Sequence, residues 1–152
     1  MVKNVFKKLG KKQKNNKGFS LVELIVVIAI MAVLVGVLAP QLIKYVEKSR
    51  EATDIQTCDN IATALKTYYA DEEVAASATT TVTVTLGKTE LGTVADTAVK
   101  DAGLTKAKIK GTKWTGDKIT IVYNKADGTI TYTGDSPYYH SDKDQFKKGP
   151  KS

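Results

Sequence analysis

The sequence predicts an α+β protein in which one long N-terminal α-helix packs against a small antiparallel β-sheet. The helix is apolar in its first half and amphipathic in its second. Three observations carry this. Leu24 to Ile43 is an uncharged run of 20 residues, LIVVIAIMAVLVGVLAPQLI. Apolar residues then continue at helical spacing to Tyr69, with no glycine between Gly36 and Gly87. The remainder alternates apolar residues with threonine and places an Asp-Gly turn between two such runs.

The head of the chain is basic. Residues 1–18 hold seven of the 23 Lys and Arg and no acid, so the 152-residue chain's formal charge of +7 belongs to this segment. From Phe19 onward 16 basic residues face 16 acidic ones, which argues against a nucleic-acid surface on the body. The length suits one domain of ordinary size. A single cysteine, Cys58, rules out an intramolecular disulfide and a cysteine-based zinc site. A single histidine, His140, argues against a histidine-dependent catalytic dyad.

At about 1.5 Å per residue, the Leu24–Ile43 run reaches roughly 30 Å, the thickness of a bilayer's hydrocarbon core. The lysines before it place the head in the cytoplasm and the body outside. A secretory signal peptide shares this layout, but its apolar stretch is about half as long. The one small-residue cleavage site, Val37-Leu38-Ala39, is followed by Pro40, and the run is entered through Ser20 and Glu23. Both features count against cleavage at its far end.

Beyond Ile43 the helix is expected to continue to about Tyr69. Leu42, Tyr45, Ala52, Ile55, Cys58, Ala62, Leu65 and Tyr69 form its apolar stripe. Lys44, Glu47, Lys48, Arg50, Glu51 and Asp54 occupy the other faces, with Lys44–Glu47 and Arg50–Asp54 spaced as exposed ion pairs. The pattern fades at Asp71-Glu72-Glu73. Val82, Val84 and Leu86 alternate as a strand ending at Gly87, and Val94–Gly103 has helical spacing. A further strand is expected over Lys108–Trp114. Lys118–Asn124 and Thr129–Thr133 flank an Asp127-Gly128 turn, with Ile119, Ile121, Tyr123, Ile130 and Tyr132 on one face. Residues 74–152 hold too few large apolar side chains for a core of their own, so the sheet should pack on the helical stripe. The tail after Tyr139 is expected to be mobile.

The junction Lys17-Gly18-Phe19-Ser20-Leu21-Val22-Glu23, running into the apolar helix, closely resembles the class III signal of type IV pilins. The resemblance covers about Lys17 to Tyr69 and rests on the basic head, the Gly-Phe step, a carboxylate four residues after the phenylalanine, and Pro40 near the far end of the apolar run. It implies the pilin fold, and a prepilin peptidase that cuts between Gly18 and Phe19 and N-methylates Phe19. Gly18 also suits an extended backbone in a protease cleft. The resemblance assigns Glu23 to assembly, pairing with the new Phe19 amine of an incoming subunit. A carboxylate in a membrane helix costs on the order of 2.5–3.5 kcal/mol, which makes it a functional residue by default.

Gly36 and Pro40 form the weak point of the helix, because Pro40 leaves the carbonyl of Gly36 without its donor. Filaments of the resembled family melt a segment here. Many pilins also carry two C-terminal cysteines, which this chain lacks. Asp135, Asp142 and Asp144 fit no calcium-ligand spacing.

The organisation expected is a leader at 1–18, a membrane and filament-core helix at 19–43, an amphipathic half at 44–73, a β-rich domain at 74–139 and a tail at 140–152. The function implied is that of a type IV pilin precursor polymerising into a surface filament for adhesion, motility, aggregation or DNA uptake. The alternative is a pseudopilin of a type II secretion or competence system. No phosphate loop, GxGxxG, HExxH or nucleophile with a credible histidine points to an enzyme. Neither a cofactor nor a metal is called for. The partners implied are copies of the chain itself, the prepilin peptidase, an inner-membrane platform with its ATPase-driven machinery, and the bilayer before assembly. Sequence-specific nucleic-acid binding is not expected. The precursor would be a single-pass protein of the cytoplasmic membrane, and the filament extracellular.

Overall fold

The computed structural model describes residues 18–70, 80–92 and 95–149. The leader up to residue 17, the fading acidic stretch at Asp71–Glu73, Val94 and the last three residues lie outside the described residues. The chain divides after Pro40 into two compact units, and helix α1 (Leu21–Tyr68) contributes to both.

In the first unit α1 buries nothing. Every large apolar side chain from Leu21 to Leu38 is at least half exposed. The helix has Pro40 in its interior, and a Cβ added at Gly36 would meet nothing within 4 Å.

In the second unit the three-stranded antiparallel sheet has the order β1 (Thr81–Leu86), β2 (Ile119–Asn124), β3 (Ile130–Thr133). Val84 faces Ile121 across one strand pair and Tyr123 faces Ile130 across the next. The period-two alternation therefore puts Val84, Leu86, Ile119, Ile121, Tyr123, Ile130 and Tyr132 on one face. That face meets Cys58, Ile61, Ala62 and Leu65 of α1 in one core, joined by Val99, Ile109 and Trp114. The β2–β3 loop turns at Gly128, whose φ of 71° suits glycine, and Asp127 Oδ1 accepts from Thr129 N and Oγ1. The long helix on a small antiparallel sheet is the predicted α+β class.

Helix α2 (Thr97–Asp101) is shorter than the expected Val94–Gly103. Asp96 caps its N-terminus by accepting from Ala98 N at 3.0 Å, and Gly103, at φ 71°, follows its C-terminus.

Three expectations fail here, each for a physical reason. First, Lys108–Trp114 is not a strand. The backbone N–H groups of Lys110, Gly111, Thr112 and Lys113 donate to side-chain carboxylates of α1, not to a neighbouring strand. Second, the expected mobile tail folds as a hairpin of β4 (Tyr139–Asp142) and β5 (Gln145–Lys148). Phe146 anchors it against the core, its ring 5.0 Å from Tyr132 and 5.6 Å from Trp114.

Third, the expected stripe holds only in its C-terminal part, where Cys58, Ala62 and Leu65 are buried and Ile55 and Tyr69 pack on the core; before it the inward face of α1 is acidic. Its seam is Glu47, Glu51, Asp54, Cys58, Ile61 and Leu65, an alternating four-and-three spacing whose first three members are buried acids. Leu42 and Tyr45 point to solvent at 63% and 67% exposure. Neither expected ion pair forms: Arg50 lies 3.8 Å from Glu47, and Asp54 serves the loop.

Candidate functional site

The first unit begins with a helix start built from two side chains. Ser20 sits just before α1, and its Oγ accepts from Val22 N at 3.3 Å. Glu23 reaches back, its Oε2 accepting from Ser20 N at 3.1 Å. This reciprocal pair is a capping box, which satisfies helix N–H groups that have no partner in the preceding turn. Its negative charge also complements the positive end of the helix. The Ser-x-x-Glu spacing of Ser20 and Glu23 carries this cap in the sequence itself.

Gly18 and Phe19 precede the cap in open backbone. Phe19 is 93% exposed, and nothing lies within 4 Å of a Cβ built on Gly18. Phe19, Glu23, Leu24 and Val27 line a shallow apolar hollow of about 480 Å³. The structure thus brings Phe19 and Glu23 to one place on the first turns of α1. Gly36 and Pro40 lie further along the same helix, one turn apart and both exposed. Among the described residues nothing crowds the Gly18–Phe19 peptide bond ahead of the capped helix. Cutting it would leave an amine on Phe19 one residue from the Ser20 N–H that Glu23 already holds.

The second unit carries buried polar groups whose partners are structural. Asp54 Oδ2 accepts from Gly111 N at 2.8 Å and from Trp114 Nε1 at 2.9 Å, and its Oδ1 accepts from Lys110 N at 2.7 Å. Glu47 Oε1 accepts from Thr112 N, and from Lys113 N at 3.1 Å. Glu51 Oε2 accepts from Ser136 Oγ, while its buried Oε1 has no partner among the described residues. Burial, with Glu47 and Asp54 adding like charge, pushes the Glu51 carboxyl above the usual carboxylate range. Burial likewise pushes the Cys58 thiol up, which removes it from redox or nucleophilic chemistry. Tyr69, half-buried and donating to Asp96, is raised to about 12. Tyr132 is raised by burial and by Asp59, which its hydroxyl meets at 3.0 Å. Among the described residues no group of three or more His, Cys, Asp or Glu side chains is placed to hold a metal.

Comparison with known proteins bears on the N-terminal unit. Residues 13–39 match the family model of the prokaryotic N-terminal methylation motif. The chain is 35% identical over 91 residues to "Prepilin peptidase-dependent protein A" of Clostridium perfringens, a match covering 57% of this chain. It spans 64% of that relative's length. No solved structure matches the chain. The chain therefore carries a prokaryotic N-terminal methylation motif of the prepilin kind and, over 91 residues, is similar to a protein named for its dependence on prepilin peptidase. The motif with the apolar helix behind it marks a membrane-anchored precursor.

Proposed function

We propose that this chain is the precursor of a type IV pilin subunit, cut by a prepilin peptidase between Gly18 and Phe19, N-methylated on Phe19, and polymerised into a surface filament. The observation that carries the proposal is the junction Lys17 to Glu23 feeding an apolar helix that buries none of itself within its unit. Fully covering one large apolar side chain is worth about 1.5–3 kcal/mol, so the run from Leu24 to Ile43, whose large side chains are each at least half exposed, forgoes on the order of 20 kcal/mol in water. That exceeds the whole stability of an ordinary domain, about 5–15 kcal/mol. The helix needs lipid before assembly and neighbouring helices after it.

In this reading the 1–18 leader holds the precursor at the cytoplasmic face, and the assembly platform draws subunits out of the membrane. Glu23 supplies the charge that selects cleaved subunits, since only they present a Phe19 amine. The helix to Ile43 then forms the filament core, and the residues beyond it the outer body. The name of the clostridial relative supports the peptidase step.

Intact-mass measurement of the protein from sheared native filaments tests the proposal. The expected species starts at Phe19 and carries one methyl group on its amine. A chain starting at Met1 or at Pro40 in the same filaments would sink it.

A further inference from the structure

Directly after the apolar run, Gln41, Lys44, Tyr45, Lys48 and Tyr138 enclose a groove of about 320 Å³ on the second unit. No acid lines it. The nearest carboxylate in sequence, Glu47, is turned inward, where it holds the amides of Thr112 and Lys113 and lies beside Arg50. Lys44 and Lys48 consequently make no ion pair among the described residues. Two lysines and two tyrosines thus line one space with no carboxylate among its lining residues.

The far wall is built, not incidental. Tyr138 belongs to a turn in which Ser136 Oγ accepts from Tyr138 N at 3.1 Å and from Tyr139 N at 2.9 Å. Ser136 in turn donates to Glu51 of α1. The buried acid of the seam therefore fixes the backbone of Tyr138, which shares the groove with Lys44 and Lys48.

We propose that this groove binds the phosphate of an anionic phospholipid in the outer leaflet while the precursor waits in the membrane. The inference rests on the reading of Leu24–Ile43 as membrane-spanning. Lys44 is the first charged residue after that run, so the groove lies at headgroup depth. Lysine there extends its ammonium into the headgroups over an apolar stem, and tyrosine offers a ring to the interface and a hydroxyl to the phosphate. Charge decides the lipid class: an uncompensated pair of lysines favours a net-negative headgroup over a zwitterionic one. Release of this phosphate would accompany extraction of the subunit.

The test uses the full chain in nanodiscs of phosphatidylglycerol or of phosphatidylcholine, with amine-reactive footprinting of each lysine read by mass spectrometry. Lys44 and Lys48 are expected to react several-fold more slowly in phosphatidylglycerol, while Lys88 and Lys106 react equally in both. In discs of equal parts of the two lipids, the wild-type chain should retain more phosphatidylglycerol than the Lys44→Gln/Lys48→Gln variant, by up to about thirtyfold at about 1 kcal/mol for each lysine near the surface. Equal labelling in both discs overturns the inference and leaves the membrane reading standing. Protection in phosphatidylcholine discs by added inorganic phosphate, matching that of the anionic lipid, overturns the lipid as the source. A chain that fails to enter either disc overturns the membrane reading, and this inference with it.

Discussion

Glu23 Oε2 accepts the backbone N–H of Ser20 at 3.1 Å, so the carboxylate proposed to recruit the next subunit is also the cap of its own helix. The two roles need different things from the side chain. A cap needs an acceptor oxygen, and recruitment needs a negative charge. In the free subunit the cap holds the charge within one residue of the Phe19 amine that cleavage would create, so a cleaved chain can neutralise itself until a neighbour displaces that contact.

Glu23→Gln separates these roles. The amide oxygen can still accept from Ser20 N, so helix start, insertion and leader cleavage should be unchanged. Filament formation should fall as far as in Glu23→Ala, because both lack the charge. Shearing filaments from cells that carry each variant, and weighing the membrane-bound chain for cleavage, provides the check. Normal filaments from Glu23→Gln would show that the cap, not the charge, is what assembly requires.

Asp54 is predicted to be the most sensitive side chain of the second unit. Replacing it with alanine orphans two loop amides and the indole N–H of Trp114, all in or near the core. Unsatisfied buried donors cost about 1–3 kcal/mol each, so Asp54→Ala should lose about 3 kcal/mol or more. Trp114 is the only tryptophan, and its emission in a denaturant titration of the full chain in detergent reports the loss directly. An unchanged midpoint would mean that the loop is held by something else.

The same loop leaves no room for a side chain at Gly111. A Cβ there would sit 2.8 Å from Glu51 Cγ and from Trp114 Nε1, and 2.9 Å from Asp54 Oδ2. Overpacking of this kind costs about 1–3 kcal/mol, and that loss is expected for Gly111→Ala in the same titration. The close approach of this backbone to α1 is what lets one aspartate reach two consecutive amides.

These residues also mark where sequence reading stopped. The β2–β3 hairpin was legible because Asp127-Gly128 and the alternation from Ile119 to Tyr132 agree, and the long helix because it lacks internal glycine beyond Gly36. The acidic part of the buried seam was not. Glu47, Glu51 and Asp54 count as solvent-facing in any hydrophobic pattern, and only the loop amides that Glu47 and Asp54 bind, with the Ser136 hydroxyl on Glu51, account for their burial. The C-terminal hairpin was missed for the converse reason: polar residues separate its two anchors, Tyr139 and Phe146. Ser20 and Glu23 were legible as a signal by resemblance, and their spacing as a capping box needed only the helix start.

Glu51 should make stability depend on pH in the direction opposite to a salt-bridged acid. Its folded pKa lies above the ordinary value of 4.5, so above pH 4.5 the folded chain holds a proton that the unfolded chain has lost. Stability from this group therefore falls as pH rises from 4.5 through the raised value, and the charged form is a cost at neutral pH. Asp127 and Asp142 are lowered, mainly by hydrogen bonds from Thr129 and Lys147, and contribute the reverse trend below their ordinary range. Glu51→Gln, which can still accept from Ser136, should be as stable as wild type or more so at neutral pH, with a flatter profile above 4.5. A marked loss of stability at neutral pH in that variant would show that the charge itself is needed.

Pro40 gives the last prediction. In the structure α1 runs unbroken from Leu21 to Tyr68 with Pro40 inside it, although the proline ring removes the donor that the carbonyl of Gly36 would use. Glycine costs a helix about 1 kcal/mol relative to alanine, and proline about 3 kcal/mol. In lipid, unpaired backbone groups are so costly that the helix persists regardless. Inside a filament, packed neighbours replace lipid, and polar groups freed by unwinding can find new partners. Regular helix should therefore be lost within Ala32–Pro40 in assembled filaments. Converting nine residues from about 1.5 Å to about 3.3 Å of rise lengthens the core by roughly 15 Å. Pro40→Ala restores the missing donor and removes the ring, which tips the same segment back toward helix by about 3 kcal/mol. Filament maps at side-chain resolution should show the stretch unwound in wild type and helical in Pro40→Ala, and continuous helix through Ala32–Pro40 in the wild-type filament would refute the proposal.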